Sequence, residues 1–229
     1  MESGDILREM AKAYERKGCA GAPMAVSFDI DGEADAWHLD AAKNVAELKP
    51  GGHPEAEFAV VTTTEILSRL QAGEISPLTA AGRESLRQKT PLDFRLPEGV
   101  AFDMALYHRI VLFAQRFFNP SPGERIRMSE GRSRVVHGGR VVGLYADVGF
   151  RSGWYLLNPG DQLNELGDTN PFPQAFVILS GSGTAQIGDL THDLEPSQAY
   201  HIPPNTDHVV RPSKDEPLTL IWFAWGEGA

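Results

Sequence analysis

The spacing of apolar residues changes about halfway along the chain. In the first half they recur every three or four positions, as over residues 5–18, where Ile6, Met10 and Ala13 share one face. In the second half, short segments with strand patterning are separated by turns that contain Gly or Pro. The pattern predicts helices mixed with a few strands, followed by a region made almost entirely of strands.

Several elements are predicted in the first half. A helix over 5–18 stops at Gly18, and a β-hairpin is indicated by the alternating stretch "MAVSFDIDGEADAWHLDA" with its Gly-containing turn. The later elements are a strand running into a helix in "AEFAVVTTTEIL", a second helix in "ISPLTAAGRESL" and a strand in "PLDFRL". Together they predict a mixed α/β arrangement.

Capping chemistry sets the expected ends of the two middle helices. Thr62 and Glu65 have the spacing of a capping box, and Gly73 is the expected stop of that helix. Ser76 is the expected N-cap of the next helix, with Pro77 at its first position.

An apolar stripe marks the last predicted helix of this half. Its members lie three or four residues apart and are Phe102, Leu106, Ile110, Phe113 and Phe117. Such a stripe is typical of ordinary core packing, and it is equally the kind of surface that could line a cavity for an apolar ligand.

The second half has the pattern of a sandwich or a small closed barrel. Gly138 and Gly139 form the expected two-residue turn of a hairpin in "RVVHGGRVV". Further strands are predicted in "WYLL", "QAFVIL", "TAQI" and "LTLIWFAW". In "AYHIPPNTDHVVRP", a strand runs into two prolines and turns at Asn205, and His208 begins the next strand.

The two halves meet at a stretch with linker chemistry. Two prolines and a glycine in "FFNPSPGER" oppose both helix and strand. We therefore predict an N-terminal domain over residues 1–119 and a C-terminal domain over residues 120–229.

Composition narrows the class of protein. The formal net charge of −10 argues against a general nucleic-acid binder and against electrostatic docking on anionic membranes. The chain has one cysteine, Cys19, which fits a reducing compartment, and it has no apolar run of membrane-spanning length. We expect a cytoplasmic protein without a membrane span.

The glycine and histidine spacing of residues 160–212 resembles the two motifs of the cupin superfamily, whose fold is a β-barrel or double-stranded β-helix. The first motif of metal-binding cupins runs Gly, five residues, His-x-His, a spacer, Glu, six residues, Gly. Gly160 and Gly181 match its glycines, while Leu166, Asp168 and Gln174 stand where its histidines and glutamate would be. In the second motif, His208 stands at the metal-ligand histidine and Asn205 at a glycine position.

These departures leave the metal question open. The resemblance implies three histidines and one glutamate around a transition metal, of which His208 alone stays in register. The candidates for a reduced metal site or for contacts with a barrel ligand are His208, Asp168, Gln174, Glu165 and His201. We expect no tightly bound cofactor, and a divalent transition metal in the barrel is the open alternative.

The order of elements in residues 3–119 resembles the sterol carrier protein type-two family. The stretches that carry the resemblance are "VSFDIDGEADAWHLDA" and "AVVTTTEILSRLQAGEISPLTAAGRESL". It implies a five-stranded sheet covered by helices, with a tunnel for fatty acyl chains, sterols or other lipids. The apolar stripe of Phe102 to Phe117 supplies the candidate lining residues.

Together the resemblances predict an α+β lipid-carrier-like domain followed by an all-β cupin-like barrel. The leading hypothesis is a protein that binds a lipid or other small hydrophobic molecule, with a barrel that binds a small organic ligand or mediates a homodimer. One alternative is a cupin enzyme of the oxygenase, isomerase or lyase type acting on a hydrophobic substrate. Another is a ligand-sensing regulatory protein.

Overall fold

The structure is a computed structural model that describes residues 2–17, 23–42, 45–85, 87–119 and 125–229. The chain divides into two compact units, one of residues 1–83 and 87–126 and the other of residues 84–86 and 127–229. Gly18, Cys19 and the predicted linker residues 120–124 lie outside the described residues. The predicted helix stop and the predicted domain boundary at 119/120 therefore stay predictions.

The N-terminal unit combines a five-stranded sheet with helices. Its elements are α1 (Ser3–Arg16), β1 (Met24–Ile30), β2 (Trp37–Ala42), β3 (Val45–Pro50), β4 (Phe58–Thr62), α2 (Thr64–Gln71), α3 (Pro77–Ala81), β5 (Asp93–Arg95) and α4 (Met104–Phe117). The strand order is β3-β2-β1-β4-β5, with β1 parallel to β4 and the other neighbours antiparallel. The predicted mixture of helix and strand is confirmed. Among the described residues, no helix is long and apolar enough to cross a membrane.

Strand β3 is absent from the sequence-based prediction. It lies at the edge of the sheet and pairs with β2 alone. Its side chains are mostly solvent-exposed, and charged Glu47 and Lys49 alternate with small or apolar residues. Ala46 and Leu48 alone pack against the core, so the apolar alternation of this strand is too short to predict it.

Capping differs from the prediction at one helix. Thr63, in extended conformation, caps α2, and its side chain accepts a hydrogen bond from the Ile66 N–H at 3.2 Å. Thr62 instead ends β4 and donates its hydroxyl to the Pro91 carbonyl at 2.8 Å. The prediction that Ser76 caps the next helix is confirmed, since its hydroxyl accepts from the backbone N–H of Thr79.

Aromatic rings fill the core of this unit. Phe113 and Phe117 stack at 4.9 Å, Phe28 stacks on Phe117 at 5.3 Å, and Tyr14 meets both helical rings edge-on at 5.7 Å. Both phenylalanines of α4 are almost completely buried. These two candidate lipid contacts are therefore packed in the aromatic core.

The predicted stripe begins two residues before the helix. Asp103 caps α4 with its carboxylate accepting from the Leu106 N–H at 2.8 Å, so the helix begins at Met104. Phe102 precedes this cap and is 45% exposed, outside the core that holds Ile110. The apolar spacing continues across Asp103, which caps the helix, so spacing alone wrongly includes Phe102 in the helix.

The C-terminal unit consists of strands and one short 3-10 turn, Glu130–Arg132. Its strands are β6 (Arg134–Val136), β7 (Gly139–Asp147), β8 (Phe150–Leu157), β9 (Gln174–Ser180), β10 (Gly183–Ile187), β11 (Leu190–Leu194), β12 (Ala199–Ile202), β13 (His208–Pro212) and β14 (Leu218–Trp225). A six-stranded sheet has the order β12-β9-β14-β8-β7-β6, and a three-stranded sheet has the order β11-β10-β13. The prediction of a β-rich second half is confirmed.

The first hairpin of this unit turns one residue earlier than predicted. Val136 pairs with Gly139, so the two turn residues are His137 and Gly138. Both have positive φ, at 52° and 79° respectively, which is the geometry that a tight two-residue turn requires. A Cβ at Gly138 would lie 2.1 Å from the Gln162 carbonyl oxygen, so this position excludes any larger residue.

The core of the C-terminal unit lies between its two sheets. Residues from both sheets form one buried cluster, which includes Leu157, Phe176, Leu218 and Leu220 from the six-stranded sheet and Ala185, Ile187, Leu194 and Val210 from the three-stranded sheet. The side chains of each strand that belong to this cluster define the interior of the barrel.

The aromatic core makes a stability prediction. Phe117→Ala should lower the free energy of unfolding by about 3–5 kcal/mol, because it opens a cavity among rigidly packed rings. Phe102→Ala is the matched control and should change the free energy of unfolding by about 0.5 kcal/mol or less. Urea unfolding followed by circular dichroism measures both. Equal effects would contradict the core assignment of Phe117.

Candidate functional site

Strand register brings four side chains together on one rung of the six-stranded sheet. Arg151 on β8 pairs with Ala224 on β14, Ala224 pairs with Gln174 on β9, and Gln174 pairs with Ile202 on β12. Cα partners on neighbouring strands point to the same face, and Ile202 belongs to the interior cluster. The rung therefore presents a cation, a methyl group and a primary amide to the barrel interior.

The next rung inward is aromatic. Gly153, Trp222, Phe176 and Tyr200 are successive partners across β8, β14, β9 and β12. The rings of Phe176 and Tyr200 stack with centroids 5.3 Å apart. Beyond this rung, Tyr155 pairs with Leu220. The interior thus has a polar and charged end next to an aromatic layer.

Among the described residues, the side-chain amide of Gln174 is hydrogen-bonded through its oxygen alone. Trp222 Nε1–H donates to Gln174 Oε1 at 2.9 Å, and Gln174 is 2% exposed. Its Nε2 has no hydrogen-bond partner among the described residues. The indole fixes which way the amide faces, and the NH2 group is left as a buried donor without an acceptor.

Arg151 lies against aromatic rings at the same end. Its guanidinium carbon is 5.2 Å from the ring centroid of Phe172 and 6.0 Å from that of Trp222. Ala229 packs with Phe172 and Ala224 in the same cluster. Burial raises the pKa of Tyr155 to about 12, although the positive charge of Arg151 acts in the opposite direction.

His208 begins β13 and pairs with Ile187, as the sequence predicts for a strand that follows the Asn205 turn. Asn205 has φ 57°, which explains why the cupin motif has a glycine there. The imidazole is 3% exposed.

Both ring nitrogens of His208 are occupied. Nδ1 lies 3.3 Å from the Thr206 carbonyl oxygen, and Nε2 lies 2.7 Å from Asn164 Nδ2. A carbonyl accepts only, so Nδ1 carries the proton and Nε2 accepts from the Asn164 amide. The lone pair that a metal would take is therefore already engaged.

Burial lowers the pKa of His208 below its usual value. The hydrogen bond to the Thr206 carbonyl and the charges of Asp168 and Asp207 oppose this effect, while His137 adds to it. The neutral imidazole with a proton on Nδ1 is thus the favoured form near neutral pH.

The segment at the two histidine positions of the first cupin motif lies on the surface. Glu165 and Asp168 are exposed, and the Asp168 carboxylate accepts from the backbone N–H of Glu165 at 3.1 Å to close a local turn. Leu166, at a motif histidine position, is 65% exposed. The structure therefore does not bring Glu165 or Asp168 into the barrel with Gln174.

His201 faces away from the interior. It pairs with Ala175, whereas its neighbour Ile202 pairs with Gln174 and points inward. The exposed imidazole of His201 meets the ring of Trp225 at 6.3 Å. Alternation along β12 thus removes this candidate from the interior site.

The residues present do not fit the metal centre that the fold family implies. Within the described ranges, no three His, Cys, Asp or Glu side chains form a group able to hold a metal ion. Gln174 supplies a neutral amide, and His208 Nε2 is capped by Asn164. A transition metal site of three imidazoles and one carboxylate has no equivalent in this arrangement.

The hydrophobic candidates of the N-terminal unit do not line the open depression that is described there. The open depression described in that unit, of about 460 Å³, is lined by residues of the sheet side, among them Met24, Asp40, Lys49 and His53. Leu106, Ile110, Phe113 and Phe117 pack into or against the aromatic core instead, and none lines this depression.

The sequence analysis did not select two residues of the barrel site, Asn164 and Arg151. Asn164 precedes the expected motif histidines and reaches His208 from a backbone with φ 64°. Arg151 lies before the first cupin motif. Its inward position follows from its pairing with Ala224, which the sequence alone does not show.

Comparison with known proteins supports the barrel. A family model described as the cupin domain matches residues 153–224. No curated protein matches the chain. None of the comparisons identifies the N-terminal unit with the sterol carrier family.

Part of the chain is similar to several solved structures. A cupin 2 conserved barrel domain protein from Salinispora arenicola is 16% identical, covering 46% of this chain and 91% of that one, with a TM-score of 0.41. A cupin 2 conserved barrel domain protein from Rhodopseudomonas palustris is 19% identical, covering 38% of this chain, with a TM-score of 0.35. The match spans 61% of that protein. A cupin-like protein from Thermotoga maritima is 23% identical, covering 38% and 68%, with a TM-score of 0.35.

The closed environment of His208 predicts a pH dependence. The folded-state pKa lies below the unfolded value, so the unfolded state binds more protons as pH falls. The stabilising contribution is complete above the unfolded pKa of about 6.5 and is lost as the pH falls below it. Wild type should therefore lose more unfolding free energy than His208→Gln between pH 7.5 and 5.5, as urea titrations at about those two pH values would measure.

His201→Gln is the matched control, because His201 is exposed on the outer face. It should keep the pH dependence of the wild type. A His208 that titrates by NMR at or above the value of an exposed histidine would contradict the hydrogen-bond assignment.

Proposed function

We propose that the cupin domain of this chain, over residues 153–224, binds a small organic molecule inside its barrel and does so without a metal ion. The observation that carries the proposal is the state of His208, whose two ring nitrogens are both hydrogen-bonded within the protein. Other polar groups of the interior, among the described residues, belong to Arg151, Tyr155, Gln174, Tyr200 and Trp222, which suit an organic ligand better than a cation.

Access to the interior supports the proposal. Arg151, Tyr155, Tyr200 and Trp222 face the interior by strand register, yet each keeps part of its surface exposed to solvent. Solvent therefore reaches part of each of these large side chains, although Gln174 and Ala224 beside them are buried. Ligand sites combine aromatic walls with a few polar groups in this manner.

His208 also has little capacity for acid or base chemistry. A general base needs a free lone pair within reach of a substrate proton. Here the Asn164 amide holds the Nε2 lone pair and the Thr206 carbonyl holds the Nδ1 proton. The geometry therefore favours binding over a reaction centred on this residue.

The other hypotheses from the sequence stay predictions. These are lipid binding by the N-terminal unit, a cupin enzyme, a regulatory sensor, a homodimer and a cytoplasmic location. The aromatic packing of Phe113 and Phe117 offers no specific support for a lipid tunnel.

Native mass spectrometry of gently purified, untagged protein tests the proposal. We expect wild type and His208→Ala to carry no stoichiometric transition metal, because the His208 lone pair is engaged by Asn164. We expect wild type to carry or take up a small organic molecule. Saturation with Fe²⁺, Mn²⁺, Ni²⁺ or Zn²⁺ should leave the thermal midpoint of unfolding unchanged.

Phe223→Ala serves as a control for barrel damage, since Phe223 lies next to Trp222 in β14 but points to the opposite face. Trp222→Ala should abolish uptake of the organic molecule and Phe223→Ala should preserve it. One metal ion per chain that disappears in His208→Ala would overturn the proposal.

A further inference from the structure

We propose that the turn of residues 53–57, between β3 and β4, is a proton-operated switch in one wall of the open depression of the N-terminal unit. Protonation of His53 breaks the hydrogen bond that closes this turn. The switch lies outside the barrel and does not depend on the proposed function.

The side chain of His53 closes the 53–57 turn. The backbone N–H of Glu55 donates to His53 Nδ1 at 3.1 Å. A backbone N–H can only donate, so Nδ1 holds a lone pair and the neutral ring carries its proton on Nε2. A second proton can therefore enter the ring only at Nδ1, the atom that accepts from Glu55. Protonation places two donors against each other and removes this hydrogen bond.

Other hydrogen bonds hold the two ends of the turn on β1. The backbone N–H of His53 donates to Ser27 Oγ at 3.2 Å, and the backbone N–H of Glu57 donates to the Ala25 carbonyl at 2.9 Å. None of these atoms titrates with the imidazole. The change is therefore confined to the His53 ring and the backbone between the two ends, and it alters a wall of the depression because His53 and Glu57 line it.

Asp40 stabilises the protonated ring. Its carboxylate oxygens lie 3.5 Å from His53 Nε2 and 3.9 Å from His38 Nε2. A hydrogen bond from Lys49 lowers the pKa of Asp40, so the carboxylate stays charged where an imidazole ordinarily gains its second proton. An opposite charge at this distance favours the imidazolium form of His53.

His38 responds to acid in the opposite way. Its Nδ1 lies 2.8 Å from the Gly51 carbonyl oxygen and so carries the proton of the neutral ring, while Nε2 faces Asp40. A second proton enters at Nε2 and adds a donor toward Asp40 without breaking the bond to Gly51. The ring centroids of His38 and His53 are 5.2 Å apart, so the two positive charges repel each other and His38 affects the pH at which the turn opens.

The other charged groups around the turn keep their charge between pH 8 and 5. Lys49 Nζ lies 2.8 Å from Asp40 and 3.0 Å from Glu47, and Arg109 Nη2 of α4 lies 2.6 Å from Glu57. The full set consists of His38 and Asp40 from β2, Glu47 and Lys49 from β3, Arg109 from α4, and Glu55 and Glu57 from the turn itself. Among these described groups, the imidazoles are the ones that titrate in this range.

NMR of the ¹⁵N-labelled full chain between about pH 8 and 5 tests the switch. At high pH the ring nitrogens of His53 should show a proton on Nε2. As the pH falls, the ring signals and the Glu55 amide signal should shift with one midpoint. The Glu55 amide should then exchange with water about two- to tenfold faster, relative to an unstructured peptide at the same pH, because a hydrogen bond has been lost. The Met24 methyl signal, from the same depression, should follow this midpoint.

Three variants isolate the contribution of His53. His53→Asn is the matched control, because an Asn side chain accepts from the N–H two residues on and cannot gain a proton. It should keep slow Glu55 exchange at both ends of the pH range. His53→Ala lacks the acceptor and should show the faster exchange, by about two- to tenfold, at every pH. His38→Gln should keep the transition and move its midpoint to higher pH, because a like charge has been removed.

Three results would overturn the switch. They are a neutral His53 ring with its proton on Nδ1, a Glu55 exchange rate that stays constant while His53 titrates, and a Glu55 transition that persists in His53→Asn. A Met24 signal without the transition would overturn the effect on the depression. If His53→Asn does not fold, the wild-type ring signals and His53→Ala decide between the outcomes.

Discussion

The register of the six-stranded sheet is the constraint on which the C-terminal unit depends. Because side chains alternate along each strand, a shift of one residue would exchange His201 for Ile202 and place Gln174 on the outer face. The observed register instead aligns Arg151, Ala224 and Gln174 across three strands that are far apart in sequence. The chemistry of the barrel interior is a consequence of hydrogen bonds between backbones.

Local sequence patterns predicted most of the architecture and part of the site. The strand 218–225, the position of His208 after the Asn205 turn and the cap at Ser76 are confirmed, because each depends on neighbours within a few residues. Strand β3 and the role of Asn164 were missed. The edge strand has only Ala46 and Leu48 as an apolar pattern, and the Asn164–His208 bond joins residues 44 positions apart.

The N-terminal unit shows a second limit of structure prediction from the spacing of apolar residues. An apolar stripe on a helix has the same spacing whether it lines a tunnel or packs against other rings, so the stripe of α4 could not distinguish the two. The distinction lies in tertiary partners. The ring centroids of Tyr14, Phe28 and Phe58 lie 5.3 to 5.7 Å from those of Phe113 or Phe117. The two helical rings are themselves 4.9 Å apart. Phe102 was misplaced for a simpler reason, since Asp103 starts the helix after it.

The outward turn of residues 165–168 bears on how this barrel could be redesigned. Histidines at positions 166 and 168, together with a glutamate at position 174, would complete the family's ligand pattern, yet positions 166 and 168 are exposed on a closed local turn. Asn164 would still hold the remaining imidazole. Conversion of this barrel to metal chemistry would therefore require a new path for the backbone before any exchange of side chains.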